Sequence, residues 1–120
     1  ENDIVPLRRL FDVGIPLSLG TDNVPCSMFY PIWQVVARRD RYSDEVIAPK
    51  QRLTREEALR AATIYGAHLS GEERMKGSIE LGKWADLAVL STDPLVCPEE
   101  ELREIVSLMT IVGGKVVYQK

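Results

Sequence analysis

The chain has 120 residues, 45% of them hydrophobic and 28% charged, with a formal net charge of −3. That length leaves room for one small domain, able to bury about two-thirds of the surface its unfolded chain exposes. The mildly acidic balance argues against a nucleic-acid or anionic-membrane surface, and no stretch approaches the roughly 20 apolar residues of a membrane span. In chain order, Asp3 precedes Ile4, Leu7, Leu10 and Phe11, a spacing that predicts one apolar helical face, with Gly14 as its stop. Ile15-Pro16-Leu17-Ser18-Leu19-Gly20 is short, apolar and bounded by glycines, and predicts a buried strand with Pro16 near its start. A helix, a tight turn and a buried strand make the rhythm of an α/β fold.

Thr21-Asp22-Asn23-Val24-Pro25 is polar and turn-forming, at the carboxyl end of that strand. A second helix is expected from near Pro31, with Ile32, Val35 and Val36 on one side, followed by a charged surface loop from Arg38 to Lys50. Thr54-Arg55-Glu56-Glu57 reads as a capping box, with Leu53 and Ala58 placed for a hydrophobic staple. The helix it opens carries Ala58, Ala61, Ala62, Tyr65 and Leu69 as its apolar stripe, and Gly66 within it suggests close packing. After residue 76 the period becomes extended. Ser78–Gly82 and Asp86–Leu90 read as short strands, and Pro98–Leu102 as one exposed helical turn. Leu108–Val112, Gly113-Gly114 and Lys115–Tyr118 predict a hairpin, because a primed turn needs positive φ.

Few residues are equipped for chemistry. Asp22 follows a buried strand, where barrels and open sheets place their sites, and such a carboxylate can ligate a divalent metal or take a proton from metal-activated water. The bland reading is an Asx-turn that shapes the loop. Met28, Phe29, Tyr30 and Trp33 form an aromatic, sulfur-containing patch shortly afterwards, either lining a substrate pocket beside Asp22 or packing as core. His68 is the only histidine and cannot build a zinc site alone, since protein zinc takes three or four protein ligands. The two cysteines, Cys26 and Cys97, lack metal or redox spacing and are expected as free thiols. There is no GxSxG elbow and no glycine-rich phosphate loop.

In combination, four segments resemble the amidohydrolase superfamily. Gly14 to Asp22 is similar to its last barrel strand, which ends in an essential Asp. Leu53 to Thr63 resembles the helix that follows. Lys76 to Leu90 matches the return to a small β-domain, and Thr110 to Tyr118 the terminal hairpin. The subgroup most resembled is the formamide-deformylase-like one. The resemblance implies an α/β fragment, comprising the last strand and helices of a (β/α)8 barrel over residues 1–72, plus the C-terminal strands of a small β-sandwich over residues 73–120. It implies C–N bond hydrolysis by metal-activated water in a longer parent, with Asp22 as metal ligand and proton shuttle. The cofactor implied is a divalent metal, zinc by preference, in the parent, and none on this chain alone, because the family's His-x-His pair, later histidines and bridging Lys belong to upstream strands.

A start at Glu1-Asn2-Asp3-Ile4, without Met or leader, adds the expectation of a piece of a longer chain, incomplete and inactive alone. The partner expected is a small-molecule substrate, with no nucleic acid and no membrane, and with a possible homo-oligomer through exposed strand or barrel surface. The compartment stays open, the cytoplasm being the mild preference. The competing reading is a non-catalytic ligand-binding or protein-interaction module.

Overall fold

A computed structural model describes residues 4–22, 26–40 and 42–120. Asp3 at the first helix and the loop residues Asn23, Val24 and Pro25 lie outside the described residues. The elements are α1 (Leu7–Asp12), α2 (Phe29–Ala37), a 3-10 turn (Pro49–Gln51), α3 (Arg55–Ala62) and α4 (Ile64–Leu69), then β1 (Leu87–Leu90), a 3-10 helix (Glu99–Glu104), β2 (Ser107–Val112) and β3 (Lys115–Gln119). The fold is mixed α/β, with three antiparallel strands in the order β1-β2-β3.

Locally encoded features form as expected. Gly14, at φ +79°, ends α1, and the Ile15 N–H returns to the Leu10 carbonyl at 3.0 Å. Thr54 Oγ1 accepts from the Glu57 N–H, while the Glu57 carboxylate accepts from the Thr54 N–H at 2.8 Å, completing the capping box. Gly113 and Gly114, at φ +55° and +79°, make the primed turn between β2 and β3. The Asp86 carboxylate accepts the Gly113 N–H at 2.7 Å, fastening that turn to the approach of β1.

The core sits between the helices and the 3-10 helix that precedes β2. Ile32, Trp33, Val35 and Val36 of α2 meet Leu53, Ala58, Cys97, Leu102 and Ile105. The helix α2 starts at Phe29, two residues earlier than expected, and Pro31 stays within its first turn, where a missing N–H breaks no intrahelical bond. The Glu99–Glu104 turn is not wholly exposed: Glu100, Glu101 and Glu104 face solvent, Glu99 is partly buried and Leu102 completely so. The core therefore draws on both sides of residue 72.

Three expectations are corrected. Ile15–Leu19 is extended but forms no strand, because no described segment runs beside it to share a ladder; it is anchored instead by the Leu19 N–H donating to the Ala61 carbonyl at 3.1 Å. Ser78–Gly82 is not a strand either. Gly77 and Gly82, at φ +93° and +90°, bracket a turn closed by the Lys83 N–H on the Glu80 carbonyl, and Ile79 and Leu81 stand in solvent. The single alanine-rich helix is two, broken at Thr63 (φ −126°, ψ −89°), and Leu69 faces solvent.

One long-range ion pair joins α1 to α3. The Arg8 guanidinium grips both oxygens of Glu57, Nη1 reaching Oε1 at 2.7 Å and Nη2 pairing with Oε2, and it also donates to the Arg52 carbonyl. Arg8, opposed by partial burial and helped by the Thr54 N–H, pushes the Glu57 carboxyl down from 4.5 to about 2. A carboxyl depressed in the folded state stabilises fully above its unfolded value, and that stability disappears as pH falls from 4.5 towards about 2. Glu57→Gln should cost about 1 kcal/mol at neutral pH, from the partly buried pair with Arg8 alone, since a glutamine oxygen can still accept the Thr54 N–H. Its acid titration, followed by circular dichroism, should be flatter than that of the unsubstituted chain in this window; identical curves would remove Glu57 as the acid-sensitive group.

Candidate functional site

Asp22 ends an extended segment that the helices hold in place. From Ile15 the chain runs out of the α1 stop, meets α4 where Ser18 lies against Gly66, and bonds to the last turn of α3 through Leu19. Three residues further on, Asp22 adopts a left-handed conformation (φ +48°) and is exposed. Asp tolerates that region better than most residues, since its short carboxylate can bond locally. A solvent-accessible carboxylate on a short tether can accept or deliver a proton at a group brought against it.

Met28 and the first turn of α2 follow, with Phe29 and Tyr30 half-buried against the core and the Phe29 N–H donating to Ser27 Oγ at 3.3 Å. Trp33 is a different case. It is 2% exposed, its ring centroid lies 5.7 Å from that of Tyr30, and the Arg103 guanidinium sits 4.7 Å above it. That is packing with a cation–π cap. Neither of the two cavities described is lined by Met28, Phe29, Tyr30 or Trp33.

The larger cavity, about 520 Å³, lies instead where α1 and α4 diverge, among Phe11, Ile15, Pro16, Tyr65, His68 and Glu73. Phe11 and Tyr65 form its aromatic wall, with ring centroids 5.8 Å apart. His68 is half exposed, with Nδ1 3.6 Å from Glu73 Oε1. No spacing along the chain announces the convergence of these residues.

Among the described residues, no group of three or more His, Cys, Asp or Glu side chains converges as a metal donor set. Asp22 supplies one hard oxygen donor and no set of three donors forms around it among the described residues, so these residues alone do not fit a divalent metal. Cys26 is exposed and Cys97 buried, both as free thiols, and the Arg55 guanidinium lies 3.6 Å from the Cys97 sulfur.

Comparison with known proteins supplies a frame for this geometry. A family model described as "Amidohydrolase family" matches residues 2–118. The chain is 40% identical to an N-substituted formamide deformylase of Arthrobacter pascens over 98% of its own length and 22% of that protein's. It is 35% identical to an imidazolonepropionase of Geobacillus thermodenitrificans over 92% of this chain and 24% of the relative. The solved structure of an amidohydrolase from Thermotoga maritima superposes with a TM-score of 0.68 at 23% identity, covering 95% of this chain and 26% of that one, a likeness of fold. The chain thus spans about a quarter of the length of the proteins it matches.

Proposed function

Because the chain belongs to the amidohydrolase family, we propose that it forms the C-terminal part of an enzyme that hydrolyses C–N bonds of small, non-peptide substrates, with Asp22 as the carboxylate that carries the proton. The observation that supports this most is the placement of Asp22. It is an accessible carboxylate at the end of an extended segment docked on α3 and α4, rather than one buried in a structural ion pair. The named relatives, a formamide deformylase and imidazolonepropionases, support the C–N class.

Under this reading residues 1–72 are the end of a (β/α)8 barrel and residues 73–120 part of a small β-domain, with residues 97–105 packing back onto α2. Ile15–Leu19, which pairs with no described strand, would be the last barrel strand completed by neighbours from the rest of the protein. A divalent metal, zinc by preference, belongs to the proposal for the full-length enzyme; the described residues offer it no more than the Asp22 oxygen. What this chain contributes is the base: Asp22 accepts a proton from the attacking water and returns it to the departing nitrogen. Met28, Phe29 and Tyr30, on the far side of the loop, are the proposed substrate-facing neighbours. The test is Asp22→Asn in the full-length protein, scored by turnover of a small N-substituted formamide.

One observation favours a second reading, in which the chain works through association. Strand β3 is exposed along its whole length, with Val116, Val117 and Tyr118 open to solvent, and a strand edge of this kind can pair with another chain. Sedimentation velocity of the 120-residue chain separates the outcomes: a concentration-dependent dimer supports pairing between copies, and a monomer at all concentrations removes it.

A further inference from the structure

We propose that the cavity between α1 and α4 is a binding site for a small organic ammonium ion with an apolar body, the class of molecule that C–N hydrolysis releases. Hydrolysis of an amide forms a C–O bond to water, breaks the C–N bond and frees an amine, which takes up a proton at neutral pH. The ligand class follows from the cavity walls; only its link to a product rests on the C–N hydrolase reading. At about 520 Å³ the cavity has the size of a small-ligand site, and its walls are of the kind such sites use, apolar and aromatic surface with a few polar groups. Phe11 of α1 and Tyr65 of α4 stand with ring centroids 5.8 Å apart, and Ile64 adds aliphatic surface.

The polar end of the cavity is anionic. Glu73 contributes a carboxylate whose Oε2 is shut off from solvent and has no hydrogen-bond partner, while Oε1 stands 3.6 Å from His68 Nδ1, outside ordinary hydrogen-bond reach. The Glu73 carboxyl sits below the ordinary carboxylate range, chiefly through its own backbone N–H, and is therefore ionised at neutral pH; that N–H makes no hydrogen bond to Oε2. A buried acceptor left unpaired costs free energy, more when it is charged, so this oxygen favours a ligand that brings an N–H. The lysine on the wall does not supply one: Lys83 Nζ is bonded to Ser78 Oγ at 2.5 Å and paired with Glu80 Oε1 at 3.3 Å. With Lys83 offset by Glu80, the Glu73 charge is left for the ligand. An ammonium seated there would share the cavity with the aromatic rings of Phe11 and Tyr65, whose faces attract cations.

Local structure holds these groups together. Gly77 lies so close to α4 that a Cβ there would come within 2.8 Å of the Ala67 Cβ, so the turn carrying Glu73 is pressed onto the helix carrying Tyr65 and His68. The Glu72 N–H donates to the Ala67 carbonyl at 2.8 Å, and the Trp84 N–H donates to the Met75 carbonyl at 2.8 Å, fastening the neighbour of Lys83 to the same turn. Helices α1 and α4 bound the cavity on one face of the Ile15–Leu19 segment, whereas partner strands in a barrel would bond along its edges. The site is therefore compatible with that segment as a paired barrel strand. Asp22 stands at the other end of the segment and does not line the cavity, so a bound amine leaves the proposed proton carrier free.

The experiment is isothermal titration calorimetry of the full-length protein at neutral pH with phenethylammonium chloride, beside phenethyl alcohol and hydrocinnamate as neutral and anionic counterparts of similar shape. The ammonium should bind saturably, and both counterparts at least about tenfold more weakly. Glu73→Gln, which keeps the shape and removes the charge, should weaken ammonium binding roughly tenfold to a hundredfold, and Tyr65→Leu about threefold to tenfold. Asp22→Asn should leave it within about twofold, because the two sites share no residue. Absence of saturable binding up to about 10 mM overturns the proposal, as does hydrocinnamate binding as tightly as the ammonium. Binding that Glu73→Gln leaves unchanged, or that Asp22→Asn abolishes, puts the amine elsewhere and also overturns it. If Glu73→Gln does not fold, Tyr65→Leu takes its place: weakened ammonium binding supports the site and unchanged binding overturns it. Because binding is read without turnover, the two levels separate. Full turnover in Asp22→Asn sinks the role of that residue and leaves this site standing, whereas lost turnover there beside missing ammonium binding sinks only the site.

Discussion

Asp22→Asn in the full-length protein should lower turnover about a hundredfold to ten-thousandfold, the range expected when a positioned acid–base group is removed. Asparagine matches aspartate in shape and also tolerates the left-handed conformation that residue 22 adopts, so the loop geometry survives while basicity is lost. An alanine there would confound the two, since it removes the carboxylate and adds backbone strain. Asp22→Glu is the informative companion, keeping the charge but moving it by one methylene, and should fall between the Asn variant and the unsubstituted protein. The measurement is kcat and KM for all three proteins on one substrate, with circular dichroism to establish that they fold alike. Turnover undiminished in Asp22→Asn would return Asp22 to the role of loop-shaping residue.

Gly77→Ala should be the most damaging single-methyl addition in the chain. A Cβ at position 77 would lie 2.8 Å from the Ala67 Cβ and 2.9 Å from the Ile64 Cα, and the second of these is backbone that cannot swing away. The φ of +93° adds strain for any L side chain. Gly82 provides the control, since it has nearly the same φ, +90°, but a Cβ there meets nothing within 4 Å. Gly82→Ala therefore measures the backbone cost alone, about 1 kcal/mol. Gly77→Ala should exceed it by about 1–3 kcal/mol, the usual range for overpacking. Urea denaturation of both variants checks the difference. Equal midpoints would mean that the chain leaving α4 is free to move away from Ile64 and Ala67.

Gly77 also carries a more general point. Its φ of +93° makes it a turn residue, but its contact with α4 is a matter of tertiary packing. The family resemblance was legible for a related reason: its motifs are short, contiguous and ordered, and the family match spans nearly the whole chain. Asp22 was legible as a candidate from its position after an apolar run. Phe29 and Tyr30 share a helix face with Trp33 but lie partly buried at the edge of the core, a difference in depth that spacing within α2 does not encode. Trp33 turned into the core beneath Arg103, seventy residues away in the chain, and no pattern within α2 encodes that partner.

By itself the sequence determined whatever depends on a few neighbouring residues. The capping box of Thr54 and Glu57, the stop at Gly14, the glycine turn of the terminal hairpin and the strands it joins all follow from local hydrogen bonding and allowed φ. Only the tertiary structure decided the rest. Ile15–Leu19 has the composition of a strand, yet a strand exists only through a neighbour's hydrogen bonds, and its anchor proved to be a helix carbonyl. Ser78–Gly82 alternates like a strand and folds as a turn for the same reason. The break at Thr63 interrupts a run rich in good helix formers, because threonine back-bonding and the docking of Leu19 act against propensities worth only tenths of a kcal/mol per residue. The Arg8 to Glu57 pair and the cavity between Phe11 and His68 join residues more than forty positions apart, and such meetings belong to packing, where distance along the chain carries no information.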